Sequence, residues 1–231
     1  WQELVAGEKP WIRIGTALCG EAAGAFEIAG EVESELETQG VSALVSKVGC
    51  LGLCFAEPLM DVQLPGGHRI FYGNVSSDDI PEIISAHVSG GAPVVARALG
   101  YIREAGSDAP LPDGIPDLNQ HPMRIWENRI VLRNAGNIDP LDIYQYVANG
   151  GYQALHKALT DLDQNQTLEE VKASGLRGRG GAAFPTATKW SFLAGNPAQE
   201  KYVLCNCEEG DPGAFNDKNI LESDPNTLVE G

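Results

Sequence analysis

Two groups of residues in this 231-residue chain have the types and spacing to do chemistry. The first is a set of thiols. Cys50 and Cys54 form a C-x3-C on the glycine-rich turn Gly49-Cys50-Leu51-Gly52-Leu53-Cys54, and Cys19 lies on an earlier turn between Gly15 and Gly20. Two neighbouring loops at one end of a small sheet can bring three thiolates together, and thiolate sulfur is what iron–sulfur clusters take, four for a [2Fe–2S] centre. Two readings stay open: a cluster completed by a group other than cysteine, or three small residues buried in a scaffold, which suits a free thiol as well. The five cysteines (19, 50, 54, 205 and 207) are odd in number and clustered, so they do not read as a disulfide framework. That usage points to a reducing, cytoplasmic setting.

The second group is a pair of glycine segments. Gly175 to Trp190 reads GLRGRGGAAFPTATKW and sets Gly175, Gly178, Gly180 and Gly181 among Arg177, Arg179 and Lys189. Each glycine costs roughly 0.5–1 kcal/mol inside a helix or strand. A loop that brings bare backbone and cationic side chains to an anion, such as a cofactor phosphate, has a use for them. The second segment, Asn206 to Phe215, follows an apolar run and offers Asn206, Glu208, Glu209 and Asp211 on Gly and Pro turns. One G-x-G alone is only a tight connection. Together the two segments offer donors for a phosphate and polar groups for a ring edge, with Phe184 and Phe192 as stacking surface. The first segment follows a helical pattern, so this is not the Rossmann fingerprint.

The elements that must position these groups follow from periodicity. Trp11–Ile14 is a buried strand. Ala22, Phe26, Ala29, Val32 and Leu36 recur at helical steps over 21–39, and Gly40 is the C-cap. Strands are expected at 41–48, 59–64 and 68–72, the last two joined by Pro65-Gly66-Gly67. A helix near Ser77 runs to Ser89, with Ser76 and Asp79 as a capping box and Val75 as its staple. From Gly90 to His121 prolines and glycines mark a linker with one short helix at 94–103. Beyond it come a strand at 129–133 and helices at 141–149, 151–162 and 167–174. Thr167 and Glu170 cap the last helix, and a further strand follows at 201–205. The order β-α-β-β-β-α of the first ninety residues resembles a thioredoxin-like domain.

The totals narrow the function. A net charge of −16 argues against nucleic acid and anionic membrane as partners. No apolar run approaches the roughly 20 residues of a membrane span. Trp1–Pro10 has no apolar core of a signal peptide, and the sequence does not begin with Met.

GLRGRGGAAFPTATKW, VLCNCEEGDPGAFNDKNILESDPNTLVEG, RIVLRNAGNIDP and GGYQALHKAL resemble the NADH-binding flavoprotein subunit of complex I-type dehydrogenases. The resemblance is nearest to the versions in NAD-linked hydrogenases and formate dehydrogenases that carry an N-terminal two-iron thioredoxin-like domain. It implies an α/β (α+β) chain with a thioredoxin-like ferredoxin-type domain at 1–90, a linker at 91–124, and the first part of an FMN/NADH-binding domain at 125–231. It implies FMN held by Gly178, Arg179, Gly180, Gly181, Lys189, Asn206, Glu208 and Glu209, and NADH held by Phe184, Phe192 and Asp211. Hydride would pass from NADH to FMN, and electrons singly to iron–sulfur subunits of a larger redox complex. In the two-iron pattern the last three cysteines correspond to Cys19, Cys50 and Cys54, and the first falls at Ile14, which cannot ligate. A [4Fe–4S] site is expected only beyond Gly231, so the chain reads as the N-terminal part of a longer protein. Departures from the family are Ala183 and Ala187 for Gly, Glu208 for Asp, Asp211 for Glu, Cys207 for Ala and Ala135 for Cys. They sustain an alternative, a non-catalytic relay or docking module without flavin or cluster.

Overall fold

The structure, a computed structural model, describes residues 7–231; residues 1–6, which open the expected first domain and much of the stretch read for a signal peptide, lie outside the described residues. The chain divides into two compact units. One takes the residues up to Asn149 together with Glu209–Val229, the other Gly150–Glu208 with Glu230–Gly231.

The first unit is built on one sheet. Strands β1 (Trp11–Gly15), β2 (Leu44–Val48), β3 (Met60–Gln63), β4 (Arg69–Tyr72) and β5 (Ala98–Ile102) lie in the order β2-β1-β3-β4-β5. β1 and β2 are parallel; the other pairs are antiparallel. The parallel pair needs a crossover, which α1 (Leu18–Ala22) and α2 (Ala25–Gln39) supply. Gly40 ends α2 in the left-handed conformation, at φ 66°.

Period-two alternation decides which side chains meet. Ile12, Ile14, Met60, Val62, Ile70 and Tyr72 share one face and pack on Ala25, Ile28, Ala29, Val32 and Leu36 of α2. Ile83, Ile84 and Val88 join them from the π-helical turns Ile83–Ser89 that continue α3 (Ile80–Glu82). Burying one such aliphatic side chain contributes about 1.5–3 kcal/mol, so this face holds the unit together. The opposite face carries Arg13, Asp61, Arg69 and Phe71. There Asp61, 3% exposed, takes Arg13 at 2.6 Å and Arg69 at 2.7 Å.

Several expectations are corrected. The helix expected over 21–39 breaks at Gly24, at φ 90°; Ala29, Val32 and Leu36 are buried as expected and Ile28 joins them, while Phe26 is left 46% exposed. The stretch expected as linker supplies β5 where a short helix was expected at 94–103, because β4 would otherwise present an open edge. Residues 129–133 form no strand: a bend at Ile130 leads into turns at 131–133, and Arg129 is drawn to the Leu51 carbonyl and to Glu127. Ser76 and Asp79 do pair, with the Asp79 carboxylate accepting both the Ser76 N–H and its hydroxyl.

The second unit is helical: α5 (Gln153–Thr160), α6 (Gln164–Ala173) and α7 (Thr186–Ala194), with α4 (Ile143–Ala148) preceding it in the first unit. The box that caps α6 is Asp163 with Gln166, four residues ahead of the expected Thr167. Residues 201–205 form no strand; Val203 is 94% exposed, and no described strand of this unit offers an edge to pair with. The chain then returns to the first unit as α8 (Asn216–Ser223), followed by α9 (Pro225–Glu230).

Candidate functional site

The three thiols do come together. Cys19 sits on α1, Cys50 is buried on the turn after β2, and Cys54 is exposed four residues on. The Cys50 and Cys54 sulfurs are 3.8 Å apart. That is the edge of a tetrahedron whose centre lies about 2.3 Å from each sulfur. The Gly52 N–H donates to the Cys50 sulfur at 3.1 Å. The Cys19 thiol is pushed up to about 11 by its hydrogen bond to Cys54 and then by burial. Burial raises Cys50 and Cys54 as well. These are protonated thiols that would have to shed protons to bind a metal.

The fourth position is not at Ile14. That side chain is fully buried on the helix-packed face of the sheet, between Lys47 and Met60 in register. A ligand in its place would point into the core. Among the described residues no group of three or more His, Cys, Asp or Glu is arranged around one metal ion. The three thiols are brought together but, as placed, do not by themselves surround a metal position.

Two features of this site had no sequence signal. Glu57 is 8% exposed, and burial pushes its carboxyl up to about 7 against a hydrogen bond from the Leu59 N–H at 2.8 Å. It lies against Gly15 and Gly20, where added Cβ atoms would come within 3.1 Å and 3.3 Å of its oxygens. The end of α8 also grips both cysteine segments. The Glu222 carboxylate accepts the Leu18 N–H at 3.0 Å, and the Ser223 hydroxyl accepts the Cys50 N–H at 3.2 Å.

The glycine loop builds a separate cleft, within the second unit. Its volume is about 670 Å³, and Gly178, Gly180, Ala183, Phe184, Lys189 and Trp190 line it with 202–204. The Gly178 N–H donates to the Phe184 carbonyl at 2.9 Å and closes the loop, with Arg177 bridging to Pro185. Added Cβ atoms at Gly180 and Gly181 would meet nothing within 4 Å, so the backbone there faces open space. Pro185 caps α7 without a side-chain hydrogen bond; the Thr186 N–H donates to the Leu176 carbonyl at 3.0 Å, and the positive end of the helix dipole has no side-chain cap. Ala183 is held at φ 49°, a conformation natural to glycine. Ala187, by contrast, is an ordinary buried helix residue. Phe184 and Phe192 pair with ring centroids 6.4 Å apart.

The remaining expected residues are not in this lining. Arg179, Gly181 and Phe192 flank it, and Asn206 and Glu208 are exposed in the same unit. Glu209 and Asp211 fall in the first unit. There the Glu209 carboxylate accepts the N–H groups of Asn216, Asp217 (3.1 Å) and Lys218 (3.0 Å), capping α8. Those bonds, that from Lys218 first, hold it below the usual carboxylate range. The walls Tyr202–Leu204 were legible only as a strand.

Comparison with known proteins bears on this cleft. Residues 171–231 match the Nuo51 FMN-binding domain. The Nuo51-like segment thus contains the whole glycine loop and α7. The NADP-reducing hydrogenase subunit HndC of Solidesulfovibrio fructosivorans is 51% identical over 102 residues, 44% of this chain and 20% of that protein. An NADH-quinone oxidoreductase subunit of Rhizobium meliloti is 48% identical over 102 residues, 44% of this chain and 24% of that protein. The matched region spans between a fifth and a quarter of these relatives' length. The thioredoxin-like [2Fe-2S] ferredoxin of Aquifex aeolicus superposes with a TM-score of 0.36 at 21% identity, covering 40% of this chain and 98% of that one. An NAD+-reducing [NiFe]-hydrogenase gives 0.32 at 22% identity, over 92% of this chain and 32% of that one. Among the described residues, no helix is long and apolar enough to cross a membrane.

Proposed function

We propose that the chain is part of an electron-input flavoprotein that takes FMN in the glycine-loop cleft and NADH beside it. The observation that carries this is the coincidence of an open, cationic, glycine-lined cleft with the Nuo51-like segment. Its residues fit a phosphate-bearing ring: bare backbone at Gly180 and Gly181, the Lys189 ammonium, and the uncapped start of α7 stand at the anion end. Phe184 and Trp190 give apolar walls, with Phe192 against Phe184 as stacking surface for the nicotinamide. When bound, the flavin supplies hydride acceptance and one-electron release. The chain's own part is to orient the two rings and to neutralise the phosphate. Asn206 and Glu208 are assigned to the flavin ring, and Asp211 to NADH. Glu209 as seen here is a helix cap.

Electrons would leave singly to iron–sulfur partners of a larger redox complex. The Cys19, Cys50 and Cys54 set is assigned to an N-terminal cluster with a non-cysteine fourth ligand. This set has only three thiols, which favours as second reading a relay module without cluster or flavin. The full-length protein, purified with FMN supplied, separates the two. Stoichiometric flavin absorption that NADH bleaches under argon supports the first reading, and its absence overturns it. Iron and labile-sulfide analysis tests the cluster.

A further inference from the structure

The sheet face opposite the helices holds a site that neither flavin nor thiols explain. A cleft of about 470 Å³ in the first unit is lined by Arg13, Arg69, Arg103, Arg124, Arg129 and Arg133. That is six of the sixteen basic residues in a chain of net charge −16. Asp61 pairs with Arg13 and Arg69, Glu127 with Arg124 and Arg129, and Glu104 is the one acid in the lining. Three positive charges are left without a counter-charge. Arg103 is exposed with no partner among the described residues, and Arg133 donates only to the Ile130 carbonyl at 3.5 Å.

The buried donors agree. Four buried side-chain polar atoms among the described residues have no hydrogen-bond partner, and three are guanidinium N–H groups of this lining: Arg13 Nε, Arg124 Nε and Arg129 Nη1. The Arg13 side chain is 4% exposed and that of Arg124 10%. Buried donors without acceptors are costly, more so when charged. Burial depresses Arg13 to about 10 and lowers Arg124, with neighbouring arginines adding repulsion. An anion in the cleft would offset the positive charge that Asp61, Glu127 and Glu104 leave uncompensated.

The donor pattern selects the anion. A planar carboxylate is clamped by the paired nitrogens of one guanidinium fork. Here the arginines reach the cleft from several separate segments, and Arg103 and Arg133 are the exposed ones, an arrangement that suits oxygens directed to several sides, as on tetrahedral phosphorus. The volume falls in the range that holds a small organic molecule. We propose that this cleft binds a small-molecule polyphosphate of three or so negative charges, such as the diphosphate of a nucleotide, at a site separate from the glycine loop.

The test is calorimetry with pyrophosphate on the full-length, FMN-loaded protein at about 0.15 M salt, with saturating NAD+ present to fill the nicotinamide site. Saturable binding is expected. The double variant Arg103→Gln/Arg133→Gln, at two exposed positions that carry no part of the fold, should weaken it about tenfold or more. Arg124→Lys, which keeps the charge and removes Nε, should also weaken it. Lys189→Ala in the glycine loop should leave it unchanged. Absence of saturable binding, binding by the double variant equal to the parent's, dependence on Lys189, or citrate binding as tightly as pyrophosphate would each overturn the proposal.

Discussion

The Ser223 hydroxyl accepts the buried Cys50 N–H at 3.2 Å across 173 residues of sequence, and Gly49 makes the approach possible. A Cβ on Gly49 would lie 2.2 Å from the Ser223 Cβ and 2.5 Å from its Cα. Rotating a side chain cannot relieve that contact. Gly49→Ala should therefore push α8 off the thiol turn and cost about 1–3 kcal/mol in urea unfolding, with faster alkylation of Cys50. Unchanged stability and unchanged Cys50 reactivity would show that α8 does not dock there.

Asp61 holds two arginines at under 3 Å, with all three side chains less than 5% exposed. Removing the single anion leaves two buried cations facing each other. Asp61→Asn should cost about 3–5 kcal/mol. Replacing Arg13 alone by Met should cost less, since Asp61 keeps Arg69. Denaturant midpoints of the two variants give the order.

Ala183 stands at φ 49° in an exposed loop. The left-handed conformation costs an L-residue roughly 1–2 kcal/mol, and glycine gives back about 0.5–1 through unfolded-state entropy. Ala183→Gly should thus stabilise the glycine loop by about 0.5–1 kcal/mol. A local probe such as amide exchange at 178–186 would register it. Slower exchange is expected, and faster exchange would mean the methyl is packed usefully.

Two buried groups give the first unit opposing pH dependences. Glu57, raised from 4.5 to about 7, binds a proton more tightly folded than unfolded, so its contribution to stability falls as pH rises from about 4.5 to 7. His87 is lowered by burial from 6.5 to about 4, with its Nδ1 2.9 Å from the Tyr72 hydroxyl. The unfolded state protonates first, and that contribution falls as pH drops from about 6.5 to 4. The two offset each other between 4.5 and 6.5. Glu57→Gln should remove one slope and leave a protein that loses stability steadily on acidification below 6.5. An unaltered pH profile in that variant would place Glu57 in water.

The first unit was largely legible because its strands alternate cleanly: Ile12 and Ile14 in β1, Met60 and Val62 in β3. β5 was hidden because Ala98-Leu99-Gly100 has weak strand character and depends on the open edge of β4. The reverse error arose at 129–133 and 201–205. Both are apolar enough for strands, but a strand exists only with a neighbour. The glycine loop announced itself by composition. Glu57, the arginine cleft and the cap at Glu209 did not, since each depends on which residues distant segments bring together. In α2 the buried positions Ala29, Val32 and Leu36 were legible, and only the break at Gly24, where the helix starts afresh, was not.

The return of residues 209–229 to the first unit also imposes an order of events in time. A chain made from its amino end has β1 to β5 and all three thiols in place before Glu222 and Ser223 exist. The turn carrying Cys50 and Cys54 is therefore born uncovered. It stays open to delivery of metal or to oxidation for as long as translation takes to pass the intervening helices. α8 then closes over a thiol turn that the earlier strands have already placed.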